Sequence, residues 1–328
     1  MSEKVLITGA SGFLGYHIIN AAVENGYDVY AAVRKSSNVK HLQHLSVNYI
    51  ELDYKNAEGL EKLFEEKGFD YVIHAAGTTK ANSDAEYDLV NNVYTLNLAT
   101  AAAKSKKVKR FVFISSLASI GPSNDPGENI TENTPRNPVT AYGKSKLNAE
   151  NNLKKLDIAS TVFRPTAIYG PREKDIFIVT KTLCKGIDAY IGKTEQQLSF
   201  VYGADMGEIA VKALKQTGAS TDYNITDGKS YSRYAYADIV KKLLNKKAVR
   251  FHLPLPVIKV VLFVVEKISK AMNKVPTVSI EKLHELTAVN WACDISKVKT
   301  ELGFEPKFDL ERGLKASVDW YKENKWLK

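Results

Sequence analysis

Val5-Leu6-Ile7-Thr8-Gly9-Ala10-Ser11-Gly12-Phe13-Leu14-Gly15 is the stretch that decides the fold of this 328-residue chain. The apolar run before the first glycine reads as a buried strand, and the glycine-rich segment after it reads as a sharp turn into a helix. Gly9 and Gly12 have no side chain to keep a pyrophosphate from the backbone N–H groups at the helix start, and Gly15 lets the helix pack closely on the sheet. Outward from this turn, apolar runs alternate with helical stretches, the pattern of an α/β, doubly wound parallel (Rossmann) sheet. Strands are expected at 5–8, 28–33, 48–52, 71–74, 110–115 and 159–163, and helices begin near Phe13, Ala57, Ala85 and Thr140.

A second motif lies far downstream, Tyr142-Gly143-Lys144-Ser145-Lys146. A tyrosine and a lysine one helical turn apart project the same way, so an ammonium can stabilise a phenolate and make the phenol usable near neutral pH. Phe111-Val112-Phe113-Ile114-Ser115-Ser116 supplies a strand that ends in hydroxyls. The Pro-, Asn- and Gly-rich loop 121–138 separates Ser116 from Tyr142, and so long a segment over a strand's carboxyl end commonly belongs to a site. Either motif alone is ambiguous, because the first also marks ordinary turns and the second also decorates solvated helices. Their order and context carry the inference.

With both motifs in place, the chain resembles the extended short-chain dehydrogenase/reductase family, also called the NAD-dependent epimerase/dehydratase family. The likeness spans nearly the whole chain: His74-Ala75-Ala76-Gly77, Asn91, Ser116, Tyr142, Lys146, residues 164–172, residues 200–205, Asp294-Ile295-Ser296-Lys297, and Glu301-Leu302-Gly303-Phe304-Glu305-Pro306. The resemblance implies a dinucleotide-binding domain over 1–170 with return segments near 200–226, and a smaller, interleaved substrate lobe over 171–328. It implies a Ser116, Tyr142, Lys146 catalytic triad. Cofactor contacts are implied for Gly9, Ser11, Gly12, Phe13, Leu14, Gly15, Arg34, Lys35, Asp53, Tyr54, Ala75, Ala76, Gly77, Tyr142, Lys146, Pro165 and Thr166. Substrate contacts are implied for Thr79, Ser116, Tyr142, Tyr169 and Arg172. Asn91 is expected to be structural, Ser115 is a rival to Ser116, and Asp53 resembles the family aspartate at the adenine edge.

Cofactor choice is read where the second strand ends. An acidic residue there accepts from the ribose of NAD, whereas a basic one accommodates the 2′-phosphate of NADP. Val33-Arg34-Lys35-Ser36-Ser37 points to NADP, and Arg34 resembles the arginine of dihydroflavonol-reductase-like members. NAD is the alternative, with these residues as surface charges.

Two departures bear on substrate. Sugar-nucleotide epimerases of the family usually place a diphosphate-gripping arginine two residues before Phe200, where this chain has Leu198; Arg172, Lys174, Lys181 and Lys193 are candidates to compensate. The run 257–265, following Leu253-Pro254-Leu255-Pro256, is apolar on every side and too short to span a bilayer. It is expected to pack in the core, to cover a greasy pocket, or to touch a membrane surface. With Asn290-Trp291-Ala292-Cys293-Asp294, the stretch looks most like the dihydroflavonol-reductase and 3β-hydroxysteroid-dehydrogenase branches, whose substrates are hydrophobic.

Composition narrows the rest. Only Cys184 and Cys293 are present, which disfavours a disulfide framework, and Met1-Ser2-Glu3-Lys4 runs straight into the first strand, so a cytoplasmic protein is expected. The six histidines show no metal-ligand spacing, and His74 is expected at a strand end in the core. Lys and Arg outnumber Asp and Glu 46 to 37, yet the basic residues are dispersed, as in the solvated group Lys104, Lys106, Lys107, Lys109 and Arg110. That disfavours nucleic acid. The leading expectation is an NADP(H)-dependent ketoreductase, or dehydrogenase of the matching alcohol, acting on a hydrophobic small molecule such as a lipid; the alternatives are a nucleotide-sugar epimerase or dehydratase holding NAD, and a redox-sensing regulator. A peripheral membrane contact and a homodimer stay open.

Overall fold

A computed structural model describes residues 2–271 and 280–327. The first half runs β1 (Lys4–Thr8), α1 (Phe13–Glu24), β2 (Asp28–Ala32), β3 (Asn48–Ile50), α2 (Ala57–Lys67), β4 (Tyr71–His74), α3 (Asp84–Asp88), α4 (Tyr94–Lys104), β5 (Arg110–Ile114), α5 (Ala141–Leu153) and β6 (Ser160–Pro165). The second runs β7 (Ala167–Tyr169), α6 (Phe177–Cys184), β8 (Ile187–Ile191), β9 (Gln197–Leu198), β10 (Phe200–Tyr202), α7 (Gly203–Lys212), β11 (Thr221–Ile225), β12 (Tyr231–Ser232), α8 (Ala235–Leu244), β13 (Val249–Leu253), α9 (Leu255–Ala271), α10 (Lys282–Leu286), α11 (Ser296–Leu302) and α12 (Leu310–Glu323). The main sheet has the order β11-β6-β5-β4-β1-β2-β3, parallel throughout. The order switches direction between β1 and β4, and a crevice opens there at the strands' carboxyl ends.

Side-chain alternation builds a core on both faces of the sheet. Val5, Ile7, Ile73, Val112 and Ile114 pack on one side with Ile18, Ile19 and Ala22 of α1 and Met206 and Ile209 of α7. Leu6, Val72, Phe111 and Phe113 pack on the other with Leu60, Phe64, Leu98, Ala102, Ala149 and Leu153. The helices α1 and α7 meet closely because Gly207 has no Cβ, which would lie 2.6 Å from the His17 carbonyl oxygen. Ile295, Val298, Leu302 and Phe304 also join the first core, so the sheet draws on residues well past 226. A third core gathers Leu183, Phe200, Tyr202, Tyr236, Val240, Leu310 and Leu314 from the second half of the chain.

The structure corrects two expectations and narrows a third. Arg110 is buried, not solvated, and donates to Thr161 Oγ1 and to the Ser160 and Gly218 carbonyls. Of the three places open to the run 257–265, the core drops out among the described residues: Val260 is 65% exposed, Phe263 53% and Val264 48%. The loop 121–138 lines neither of the two cavities beside Ser116 and Tyr142. Its Ser123 and Ile130 instead pair with residues 290–293, which hold Trp291 in place.

Candidate active site

The glycine turn leaves an anion-ready helix end. Gly12 begins α1 with no side-chain cap, and no acidic residue occupies the first turn. Its N–H groups and the positive end of its dipole are therefore open to a phosphate. Gly9 has φ +69°, and a Cβ there would lie 2.6 Å from the Ala75 carbonyl oxygen. The loops after β1 and β4 thus touch backbone to backbone, which only glycine permits. A Cβ on Gly15 would meet the Gly9 carbonyl oxygen at 2.2 Å, so the close packing it allows is against the turn itself rather than the sheet.

His74 locks these loops together. Thr95 Oγ1 donates to the Asn91 carbonyl at 2.7 Å, so it accepts from His74 Nε2 at 2.9 Å. His74 Nδ1 must then accept from Thr8 Oγ1 at 2.7 Å, and Thr8 Oγ1 in turn accepts from the Ala76 N–H at 3.1 Å. Burial pushes the His74 imidazole down to about 3, so it stays neutral. Asn91 accepts from the Thr78 N–H at 2.8 Å and donates to the Thr78 carbonyl and Ser145 Oγ, each at 3.0 Å. Its role is to hold backbone. At the other end of the crevice Arg34 and Lys35 are exposed after β2, Ser11 and Ser37 hydroxyls lie 3.4 Å apart, and exposed Asp53 and half-buried Tyr54 follow β3.

Ser116, Tyr142 and Lys146 meet where β5 ends. Ser116 caps a single helical turn, its Oγ accepting from the Ala118 N–H at 3.2 Å. Ser115 also borders the smaller cavity, but its hydroxyl is committed to the buried carboxylate of Glu150. Glu150 also binds the buried Arg164, which reaches on to Asp222, so one charge network ties α5 to β5, β6 and β11. Gly143 brings α5 against the Ser116 turn; a Cβ there would lie 2.3 Å from the Ala118 carbonyl oxygen. Burial pushes the Tyr142 phenol up to about 12, against the opposing pull of its hydrogen bond with Ser116. The expectation of a lowered phenol is therefore reversed in direction: burial, reinforced by Glu285 and Tyr87, outweighs the Ser116 hydrogen bond and keeps Tyr142 protonated at neutral pH. Lys146 donates to the Ile114 carbonyl at 3.0 Å, 4.8 Å above the Phe113 ring, and burial lowers its ammonium to about 8.

Two adjoining cavities share Ser116, Tyr142, Pro165 and Thr166. The smaller, about 280 Å³, is bounded by Leu14, Ala75, Gly77, Thr79 and Lys146. The larger, about 340 Å³, is walled by Leu117, Leu198, Phe200, Leu286 and Trp291, with Gln196, Ser199, Lys282 and Glu285 as its polar points. Lys282 is ion-paired with Glu285. Tyr169 and Arg172 line neither cavity. Tyr169 is buried in the lobe's core and donates to the Asp309 carbonyl, while Arg172 stacks over Tyr16 and Trp320 at 5.2 and 5.8 Å.

Nothing in the sequence singles out α10, yet α10 forms one wall of the larger cavity and holds the start of α5. Thr140 Oγ1 donates to Glu285 at 2.5 Å, and the Ala141 N–H donates to Glu281. Two carboxylates at a helix N-terminus favour that helix. Lys282-Leu283-His284-Glu285-Leu286 looks like any solvated turn, so only the long-range contact reveals it.

Comparisons with known proteins show what the chain is similar to. The chain is 27% identical to the N-acetyl-alpha-D-glucosaminyl-diphospho-ditrans,octacis-undecaprenol 4-epimerase of Escherichia coli O157:H7, over 98% of this chain and 96% of that protein. It is 26% identical to the ceramide reductase of Caulobacter vibrioides, with the same coverage of 98% and 96%. The crystal structure of the Bordetella bronchiseptica enzyme WbmG with NAD and UDP shares the fold, with a TM-score of 0.80 at 21% identity over 99% of this chain and 96% of that one. Residues 5–226 match the NAD dependent epimerase/dehydratase family, and the chain belongs to that family, enzymes of the extended short-chain dehydrogenase/reductase type.

Proposed function

We propose that the protein is an NADP(H)-dependent oxidoreductase that reduces a carbonyl, or oxidises the matching alcohol, on an apolar, lipid-type substrate. The observation that carries this reading is the shared wall of the two cavities. Ser116 and Tyr142 stand at the junction, the anion-ready helix end lies on one side, and mainly apolar residues lie on the other. The glycine turn, its uncapped helix and the backbone-to-backbone approach at Gly9 fit a dinucleotide, which when bound supplies hydride transfer to or from carbon.

The chain's own residues handle the proton and the oxygen. Ser116 donates a hydrogen bond to the substrate oxygen, and Tyr142, protonated at neutral pH, gives its phenolic proton to the alkoxide as it forms. Oxidation reverses the transfer. Lys146, charged below about pH 8, places a cation beside the reacting centre and is positioned to hold the cofactor's ribose. Asn91 fixes the loop at Gly77 and Thr78 that walls the smaller cavity. Arg34 and Lys35 support NADP as the partner, since exposed cations after β2 match a 2′-phosphate.

Two features support an apolar substrate. Leu198 is part of the larger cavity's wall, and the cation there, Lys282, is already paired. Among the relatives compared, one is named for ceramide and another for an undecaprenol-linked sugar, both lipids. The second of these names and the UDP-bound WbmG favour the alternative, epimerisation of a sugar diphosphate with NAD retained. Incubation with NADPH and a long-chain or polycyclic ketone separates the two. Net cofactor consumption is expected; a purified protein that already carries nicotinamide and consumes none would contradict the proposal.

A further inference from the structure

We propose that the face built from β8, β13 and α9 docks the enzyme on an anionic lipid surface. In this two-stranded parallel sheet Val249 lies opposite Ile187, Phe251 opposite Ala189 and Leu253 opposite Ile191. Alternation places these three pairs on one face, and all six residues are apolar. The other face is occupied: Asp188 binds Lys241 and Arg250, and His252 bonds Tyr234. The apolar face is open, with Val249 72% exposed and Ile187 40%.

β13 leads through Pro254 into α9. There Val257, Val260, Val261 and Val264, at helical spacing, form an exposed stripe on the same stretch of chain. An apolar area of this kind marks an interaction site in a soluble domain.

Charge identifies the occupant. Lys185, Lys246, Lys247, Lys259 and Lys267 are exposed and make no ion pair among the described residues. Segments 177–193 and 245–267 contain two acids, and both are engaged, Asp188 in its ion pairs and Glu266 with the Ile280 N–H. Apolar residues fringed by unpaired lysines complement hydrocarbon lying under negative headgroups. A second copy of the chain is a poor occupant, because a two-fold contact through this face would bring like charges together. No described helix is long and apolar enough to cross a membrane, so the contact runs along the surface. From β8 the chain runs on to Gln196 and Leu198 of the larger cavity. The inference goes beyond the proposed reaction and does not depend on it.

Vesicle flotation of the full chain tests it without turnover. The protein is expected to float with phosphatidylglycerol–phosphatidylcholine vesicles and far less with phosphatidylcholine alone, and salt should release it. Val260→Asp with Val264→Asp should lower partitioning at least ~10-fold, leaving the melting temperature and the turnover of a short, soluble ketone unchanged. Lys247→Glu and Lys259→Glu should each lower it roughly fivefold or more. The proposal is overturned if the full chain stays with the unbound fraction on anionic vesicles, or if the double variant binds as well as the parent. It is equally overturned if the chain is a dimer that the double variant splits while no vesicle is bound. Absence of any turnover would count against the reaction and leave the docking result standing.

Discussion

Strand β5 and the run 257–265 of helix α9 are about equally apolar and have opposite fates. Phe111, Val112 and Phe113 are fully buried, whereas Val257, Val260, Val261 and Val264 lie about half exposed or more. The difference lies in what surrounds each run. β5 sits between β4 and β6 with helices on both faces, so its side chains have two surfaces to meet, and its end is held firmly enough to aim Ser116. α9 leaves the end of a two-stranded sheet and carries its apolar stripe outward. Burial therefore depends on available partners as much as on composition, and an apolar run without a partner is the one that calls for a ligand.

The largest expected effect tests this contrast directly. Phe113→Ala should cost ~3–5 kcal/mol of stability, because a fully buried ring leaves a cavity, whereas Phe263→Ala should stay within about 0.5 kcal/mol. Denaturant midpoints measure both, and similar costs would place α9 in a core. Next, Arg34→Ala should weaken NADP binding by ~1.5–3 kcal/mol and barely change NAD, as read by titration of each cofactor. Equal losses would make Arg34 a plain surface charge. Smaller still, Thr140→Ala removes the cap on the Gly143 N–H and the link to Glu285, and should cost ~1 kcal/mol. An unchanged midpoint would mean that α10 does not hold α5.

The buried end of β5 also sets a pH dependence. Lys146 loses its proton near pH 8 and Tyr142 keeps its own to about 12. The kcat/KM for reduction should then fall as pH rises through about 8, the free enzyme's lysine being the first group to titrate. A profile flat to much higher pH would remove the Lys146 charge from the reaction.

The same contrast explains what could be read from the sequence. The glycine turn and the apolar strands predict their own places because their interactions are local and periodic: expected strands begin within one residue of the observed ones, and Asp28, Asn48, Tyr71 and Arg110 begin them as expected. Ser116, Tyr142 and Lys146 come together because the sheet's topology leaves little choice at the end of β5. The substrate side was far less legible. Glu281, Glu285 and Trp291 approach the site from about 140 or more residues away in sequence, and no periodicity encodes such contacts. Arg172 and Tyr169 were expected at the substrate from a motif's neighbourhood, and packing sends one to Trp320 and the other into the core. Apolarity marked 257–265 as unusual, but could not say which surface it meets.

Tyr142, at the junction of the two cavities, is the residue on which the proposed chemistry turns, because it moves the proton. Tyr142→Phe keeps the ring and removes that proton, so the decisive measurement is turnover of a hydrophobic ketone by this variant alongside its affinity for NADPH. Turnover should fall at least ~100-fold, the scale of general acid catalysis, with cofactor affinity unchanged. Turnover equal to that of the parent protein would contradict this role.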